Sequence, residues 1–367
     1  MIVHITSAHP RYDTRIFVKM CMTLASHRYA VTLIVADGLG DEVKNGVSII
    51  DVGQNNGGRL SRMTSIVQKV LHAALKLNAD LYHLHDPELL TIVFKLKREG
   101  KCVVFDSHED LPQQIFCKPY LSPLSRLILS KFFARYEKWM CQKIDAVIGA
   151  TPQITTKFKK FCKYTSNINN YPLLNDFSVV DSVCVKTDEI VYVGYISEVR
   201  GIKPLVKSLS RLNGTRLNLV GKFSDKKIET VVKSFDEYNF VNEFGFLRRD
   251  EVGCVLSRSK VGIVTFLKSP NHINSQPNKM FEYMSAGLPI VTSNFQLWRE
   301  IVEGNECGIC VDPENIDQLV NAIQYLIDNP IEAKRLGENG RRAIIEKYNW
   351  EQEQQKLLTL YKNLSPA

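Results

Sequence analysis

Short apolar runs alternate with helical patterns along nearly the whole chain, and that alternation leaves few folds open. In the first half, residues 2–6, 31–36, 81–84, 101–105 and 146–149 have strand character, while 16–26, 60–77, 88–99 and 123–143 carry helical periodicity. The second half repeats the theme, with strand runs at 190–193, 216–220, 261–267, 289–292 and 307–311. Helical patterns there fall at 202–209, 224–235, 250–257, 279–286, 297–302 and 316–329. Such order predicts parallel sheets joined by right-handed crossovers. A chain of 367 residues is comfortable for two domains. The expected fold is therefore α/β, with two doubly wound, Rossmann-like parallel-sheet domains facing across a cleft. They are expected at 1–172 and 189–349, with a linker at 173–188, where turn residues occur without periodicity. A last helix at about 350–367 is expected to pack back on the first domain. Ligands of open parallel sheets sit beyond the C-terminal strand ends, so polar residues just past the strand runs become candidates.

The segment 270–289 is the most legible of these. Pro277 suits a first helical position, Gly287 the position just past the end, and Pro289 blocks continuation. A short helix thus opens where a strand ends, and its tip of unpaired N–H groups is a seat for phosphate. Lys279 lies in the first turn, against the helix dipole, which an anionic partner would explain. Glu282, one turn on, is able to accept hydrogen bonds from sugar hydroxyls. A solvated Lys–Glu pair on an ordinary helix is the competing reading. A second phosphate seat is Val193-Gly194-Tyr195 through Arg200-Gly201, where Gly194 frees the turn and Arg200 has the geometry to clamp a diphosphate. A plain surface cation is the alternative for Arg200.

Charge is unevenly placed. Residues 1–172 carry 23 Lys and Arg against 14 Asp and Glu, and the rest carry 24 against 25. The first half is expected to meet something anionic. Within it, 123–143 places Leu124, Leu127, Ile128, Phe132, Tyr136, Trp139 and Met140 at helical spacing among Arg126, Lys131, Arg135, Lys138 and Lys143. A basic amphipathic helix on an anionic membrane surface and a core-packed helix with a solvated basic face both fit. No nucleic-acid module is visible, and nucleic acid is not expected as a partner. No run has the length of a membrane span, and the first residues are already strand-like without a basic leader. Nine scattered cysteines suit reduced thiols. The expected location is the cytoplasm, peripheral on the inner face of its membrane.

These motifs, in this order, resemble the retaining family 4 glycosyltransferases of GT-B architecture. The likeness is strongest over 278–350, in Asn278-Lys-Met-Phe-Glu-Tyr-Met-Ser-Ala-Gly-Leu-Pro289, Trp298-Arg-Glu-Ile-Val302 and Tyr348-Asn-Trp350. His9-Pro-Arg-Tyr-Asp-Thr-Arg-Ile-Phe17 and Tyr82-His-Leu-His-Asp-Pro87 look like members that build bacterial surface polysaccharides, the O-antigen and lipopolysaccharide among them. The resemblance implies a nucleoside-diphosphate sugar as donor and a lipid-linked saccharide as acceptor. It places Glu282 on the nucleotide ribose and His85 beside the donor sugar, with Asn274, Asn278, Gly194 and Tyr195 lining the donor site. His9, Arg15 and His108 fall on the acceptor side. Asn274 stands where the family's first motif Glu is usual, and Tyr195 replaces an expected cation. Arg200 and Lys279 are then left to neutralise the diphosphate. No cofactor is implied and no metal ligand is assigned, the two cations being the physical substitute. A sugar-nucleotide epimerase and a non-catalytic sugar-nucleotide-binding subunit remain as alternative readings.

Overall fold

The computed structural model describes residues 1–54, 57–58, 61–118, 121–177 and 187–364. The chain forms two compact units, residues 1–170 with 350–367, and residues 171–349. In the first, strands β1 (Ile2–Ile5), β2 (Val31–Val35), β3 (Glu42–Lys44), β4 (Val47–Asp51), β5 (Leu81–Leu84), β6 (Cys102–Ser107), β7 (Ala146–Gly149) and β8 (Thr165–Asn167) make one sheet. Its order is β3-β4-β2-β1-β5-β6-β7-β8, parallel except for the β3–β4 pair. In the second, β9 (Glu189–Val193), β10 (Arg216–Val220), β11 (Val241–Gly245), β12 (Val261–Val264), β13 (Ile290–Ser293) and β14 (Gly308–Val311) order as β11-β10-β9-β12-β13-β14, all parallel. These are the two doubly wound α/β sheets that the alternation predicts.

The central strands β1, β2, β5, β7, β12 and β13 are buried at every residue. Helices cover both faces, so these strands read as continuous apolar runs rather than alternating ones. Successive residues still point to opposite faces. On β9, Ile190 and Tyr192 enter one core and Val191 the other. Chain order reverses between β1 and β5 in the first sheet and between β9 and β12 in the second. Both reversals open a crevice at the strand C-termini, and both lie where the candidate residues fall.

Several boundaries differ from the sequence reading. Strands β3, β8 and β11 carry half-exposed, polar residues and lack the apolar signature, and β4 alternates buried Val47 and Ile49 with exposed Ser48 rather than running apolar. The run at 261–267 ends as a strand at Val264, and the chain then loops to residue 277. Helix Asn278–Ser285 starts one residue later than expected, with Pro277 extended at its cap. Gly287 has φ of +67° and closes that helix as anticipated. The units divide after Asn170, and residues 171–177 belong to the second one. There Asp176 pairs with Arg249 at 2.6 Å and its carbonyl accepts from Ser285 Oγ at 2.6 Å. Of the expected linker, residues 178–186 lie outside the described residues. Helix Trp350–Leu364 returns to the first unit, where Trp350 Nε1 donates to Thr23 at 2.9 Å and Glu353 accepts from Asn169. Among the described residues no helix is long and apolar enough to cross a membrane.

Candidate active site

In the second unit the crevice is built from two turns that glycine makes possible. After β9 the chain turns at Gly194, φ +113°, and Gly221 after β10 lies against it. A Cβ on Gly221 would stand 1.9 Å from the Gly194 carbonyl oxygen, and one on Gly201 would stand 1.8 Å from that of Thr265. Both glycines also hold positive φ, so no side chain fits either place. The close approach brings Arg200, just before Gly201, over the Phe266 ring at 5.4 Å, with one guanidinium nitrogen 3.3 Å from the Tyr195 carbonyl. The Tyr195 ring itself is 56% exposed.

Lys279 occupies the second position of helix Asn278–Ser285, yet it is only 7% exposed. Its ammonium sits 3.5 Å from the Tyr192 ring centroid, and a Cβ on Gly194 would lie 3.5 Å from it. Among the described residues it has no hydrogen-bond acceptor, and Thr265 Oγ1 and Gln276 Oε1 in the loop leading to the helix are likewise unpaired. Burial, then the charge of Arg200, pushes the Lys279 ammonium well below its usual pKa. No side chain caps the helix, and among its first N–H groups that of Met280 bonds the Pro277 carbonyl, which leaves those of Asn278 and Lys279 available. A buried cation with no counter-charge costs several kcal/mol. Two cations, an uncapped helix tip and two further unpaired polar atoms meet at one strand crossover, an arrangement with the chemistry to hold a multiply charged anion.

Glu282 is half-buried beyond this seat, and Arg249 reaches it at 3.4 Å while stacking on Phe177 at 4.6 Å. Arg249 was not legible as a site residue, because only folding brings Arg249 to the 278–285 helix. Asn274 lies half-buried in the turn before the helix, and Asn278 is exposed at its first position. The Lys279–Glu282 pair expected of an ordinary solvated helix does not form as a solvated pair, since Lys279 is inside.

In the first unit the crevice between β1 and β5 is organised by two carboxylates. Asp86 accepts from Thr6 Oγ1 at 2.8 Å and from the Ser7 N–H at 2.6 Å, tying the loop after β1 to the end of β5. Asp106, at the end of β6, takes a two-pronged bond from Arg15 at 2.8 and 2.7 Å. Arg15 thus lies inside the first unit. The side chain is buried and also donates to the Ile168 carbonyl, so it serves Asp106 as an internal counter-ion, while its Nη1 has no hydrogen-bond partner among the described residues. Burial opposes charge on Asp106, but Arg15 and then His108 outweigh it and hold the carboxyl well below the usual range.

His85 lies deeper than a surface imidazole. Its side chain is fully buried. One ring nitrogen meets His4 at 2.9 Å, and the other lies 3.3 Å from Asp106 and 3.4 Å from His108. Burial lowers its pKa. The imidazoles that reach the surface are His108, 2.9 Å from Asp106, and His9, between Asp13 at 3.3 Å and Asp86 at 3.4 Å. Burial opposes charge on His9, but Asp13 and then Asp86 prevail and raise its pKa. His4 and His83, inside strands, and Tyr361 on the last helix complete the buried network. The alternation of His83 and His85 on one strand face was the available signal for it. The sequence reading assigned no metal ligand, whereas two groups here, His4 with His83 and His85, and His85 with Asp106 and His108, have metal-binding reach.

Comparison with known proteins agrees with this architecture. The family description Glycosyltransferase Family 4 matches residues 14–168, and Glycosyl transferases group 1 matches residues 183–343. The chain belongs to the family 4 glycosyltransferases, and its fold is GT-B. It is 27% identical over 168 residues to an MMP alpha-(1->4)-mannosyltransferase from Mycolicibacterium hassiacum, covering 44% of this chain and 40% of that one. It is 23% identical over 170 residues to a glycogen synthase from Mycobacterium tuberculosis, covering 44% and 39%. The matches thus span about two-fifths of these relatives. Among solved structures, a sucrose-phosphate synthase from Thermosynechococcus elongatus superposes with TM-score 0.78 at 21% identity, covering 99% and 98%. Anabaena Alr3699/HepE, solved with UDP and glucose, gives 0.74 at 15%, covering 99% of each chain. WaaG, a glycosyltransferase involved in lipopolysaccharide biosynthesis, gives 0.71 at 13%, covering 97% and 98%. At these identities the likeness is one of fold.

Proposed function

We propose that this protein is a retaining glycosyltransferase that moves a sugar from a nucleoside-diphosphate sugar to a lipid-linked saccharide, in the building of a bacterial polysaccharide. The observation that carries the reading is Lys279, a buried ammonium without an acceptor at an uncapped helix tip. A diphosphate supplies what that ammonium lacks. As the leaving group departs, charge grows on the phosphate oxygens, where Lys279, Arg200 and the helix N–H groups stabilise it. The sugar gains oxocarbenium character, and the leaving phosphate takes the acceptor proton on the same face. The two cations do the work a metal does elsewhere, so transfer proceeds without one. Glu282 takes the ribose once Arg249 yields it. The surface imidazoles His9 and His108 replace the buried His85 as the groups offered to a saccharide.

The purified chain, given UDP-, GDP- and ADP-sugars with lipid-linked saccharides, should release the nucleoside diphosphate and form a product of unchanged anomeric configuration by NMR. Arg200→Ala should lower that rate by about 10²–10³-fold. Nucleotide binding without turnover across the panel would support the non-catalytic subunit instead, and donor conversion without acceptor the epimerase.

The membrane part of the reading rests on helix Pro123–Cys141. Leu124, Leu127, Ile128 and Phe132 are 67, 42, 56 and 60% exposed on one face, and only Glu137, Met140 and Cys141 are buried. A core-packed helix does not leave that stripe in water, and Lys131, Arg135 and Lys138 are exposed beside it. Each apolar side chain inserted contributes about 1.5–3 kcal/mol. The double variant Ile128→Glu with Phe132→Glu should therefore weaken flotation with phosphatidylglycerol vesicles by at least about 100-fold at low salt. Unchanged flotation refutes membrane docking through this helix.

A further inference from the structure

We infer that His85, Asp106 and His108, all of the first unit, form a binding site for a divalent transition-metal ion of the Zn2+ type. The three candidate donor atoms form a triangle. His85 Nδ1 lies 3.4 Å from His108 Nε2 and 3.3 Å from Asp106 Oδ2, and His108 Nε2 lies 2.9 Å from the same oxygen. Zinc bonds of about 2.0–2.2 Å in tetrahedral array put neighbouring ligand atoms roughly 3.3 Å apart. Two edges meet that length as they stand. The third is a hydrogen bond that an ion would replace by opening it a few tenths of an ångström. Two imidazole nitrogens and one carboxylate oxygen suit zinc better than magnesium or calcium, and leave a fourth position open.

A second observation is the shell behind the ligands. Metal-bound histidines donate through the other ring nitrogen, which fixes tautomer and orientation. Binding through His85 Nδ1 puts the proton on Nε2, which faces His4 Nδ1 at 2.9 Å. His4 Nε2 then donates to the Tyr361 oxygen at 3.2 Å, and Tyr361 donates to His83 Nδ1 at 2.6 Å. This single direction of donation satisfies each pair in turn from the ligand to the last helix. It leaves only His83 Nε2, which has no partner in either case. On the other side Arg15 grips both oxygens of Asp106 and sets the carboxylate plane. Its positive charge opposes the ion, so micromolar affinity is expected rather than that of a closed structural zinc site. His108 is the open edge, its side chain 20% exposed, and offers the ion its way in.

The test is calorimetric titration of the full chain with zinc chloride alone, after chelator treatment, and a parallel titration with cobalt chloride followed by visible absorption. One ion per chain should bind, and cobalt should show the intense bands of a four-coordinate ion. His108→Ala should lose at least 100-fold in affinity, and His72→Ala, on an exposed helix position, should lose none. Tyr361→Phe, which removes the acceptor behind His4, should weaken binding about 10-fold, the lower end for an outer-shell change. Equal affinity in the wild type and His108→Ala, or no uptake at millimolar zinc, overturns the site. Binding lost equally in His72→Ala overturns it as well, since that marks scattered surface histidines.

Discussion

Lys279→Met should make the free protein more stable and nearly abolish sugar transfer. The expected rise is about 0.5–2 kcal/mol, or about 1–8 °C in midpoint for a unit of this size. The expected fall in transfer is about 10²–10³-fold. Methionine has similar reach, keeps contact with the Tyr192 ring through its sulfur, and removes an ammonium that burial and Arg200 both disfavour. The same argument has a sign in pH. The unfolded chain holds this proton up to about pH 10.5, while the folded chain releases it at lower pH. Stability of the free protein therefore rises with pH between the lowered value and 10.5, and that part of the slope should vanish in the variant. Thermal melts across alkaline pH, with and without a nucleoside diphosphate, read both effects. A variant that melts lower than the wild type and still transfers sugar would remove Lys279 from the anion seat.

Arg15→Met is expected to act on stability, not on the acceptor. It leaves Asp106 buried with only imidazoles for company, and removing one partner of a buried pair costs about 3–5 kcal/mol. A loss near 10 °C in the melting of the first unit follows at about 2–4 °C per kcal/mol. The depressed pKa of Asp106 gives stability that is present above about pH 3.8 and lost as pH falls through its folded value. Without Arg15 that loss should begin at higher pH. Urea melts at several acid pH values measure this, and KM for the acceptor in the folded fraction should be unchanged. A fully stable variant with a raised acceptor KM would return Arg15 to the surface role its motif suggests.

The fold was legible because both sheets are built from central strands buried on two faces, which must read as apolar runs, separated by helices with their own punctuation. The edge strands β3, β8 and β11 escaped, since a half-exposed strand needs no apolar run. The local geometry of the candidate anion seat was legible for the same reason. Gly194, Arg200-Gly201, Pro277, Lys279 and Gly287 act within a turn or a helix cap, where the neighbours in sequence are the neighbours in space.

The sequence alone therefore determined the central strands and the helices between them, that these strands pair in parallel, and which helix tip carries a cation. Tertiary structure alone decided what each charge faces. Arg15 meets Asp106 across 91 residues and Tyr361 meets His83 across 278. Local pattern records backbone geometry and burial period, which depend on the next few residues. Whether a charged side chain ends in water, on a ligand or on a buried partner depends on the desolvation and pairing supplied by strands that only the sheet order makes adjacent.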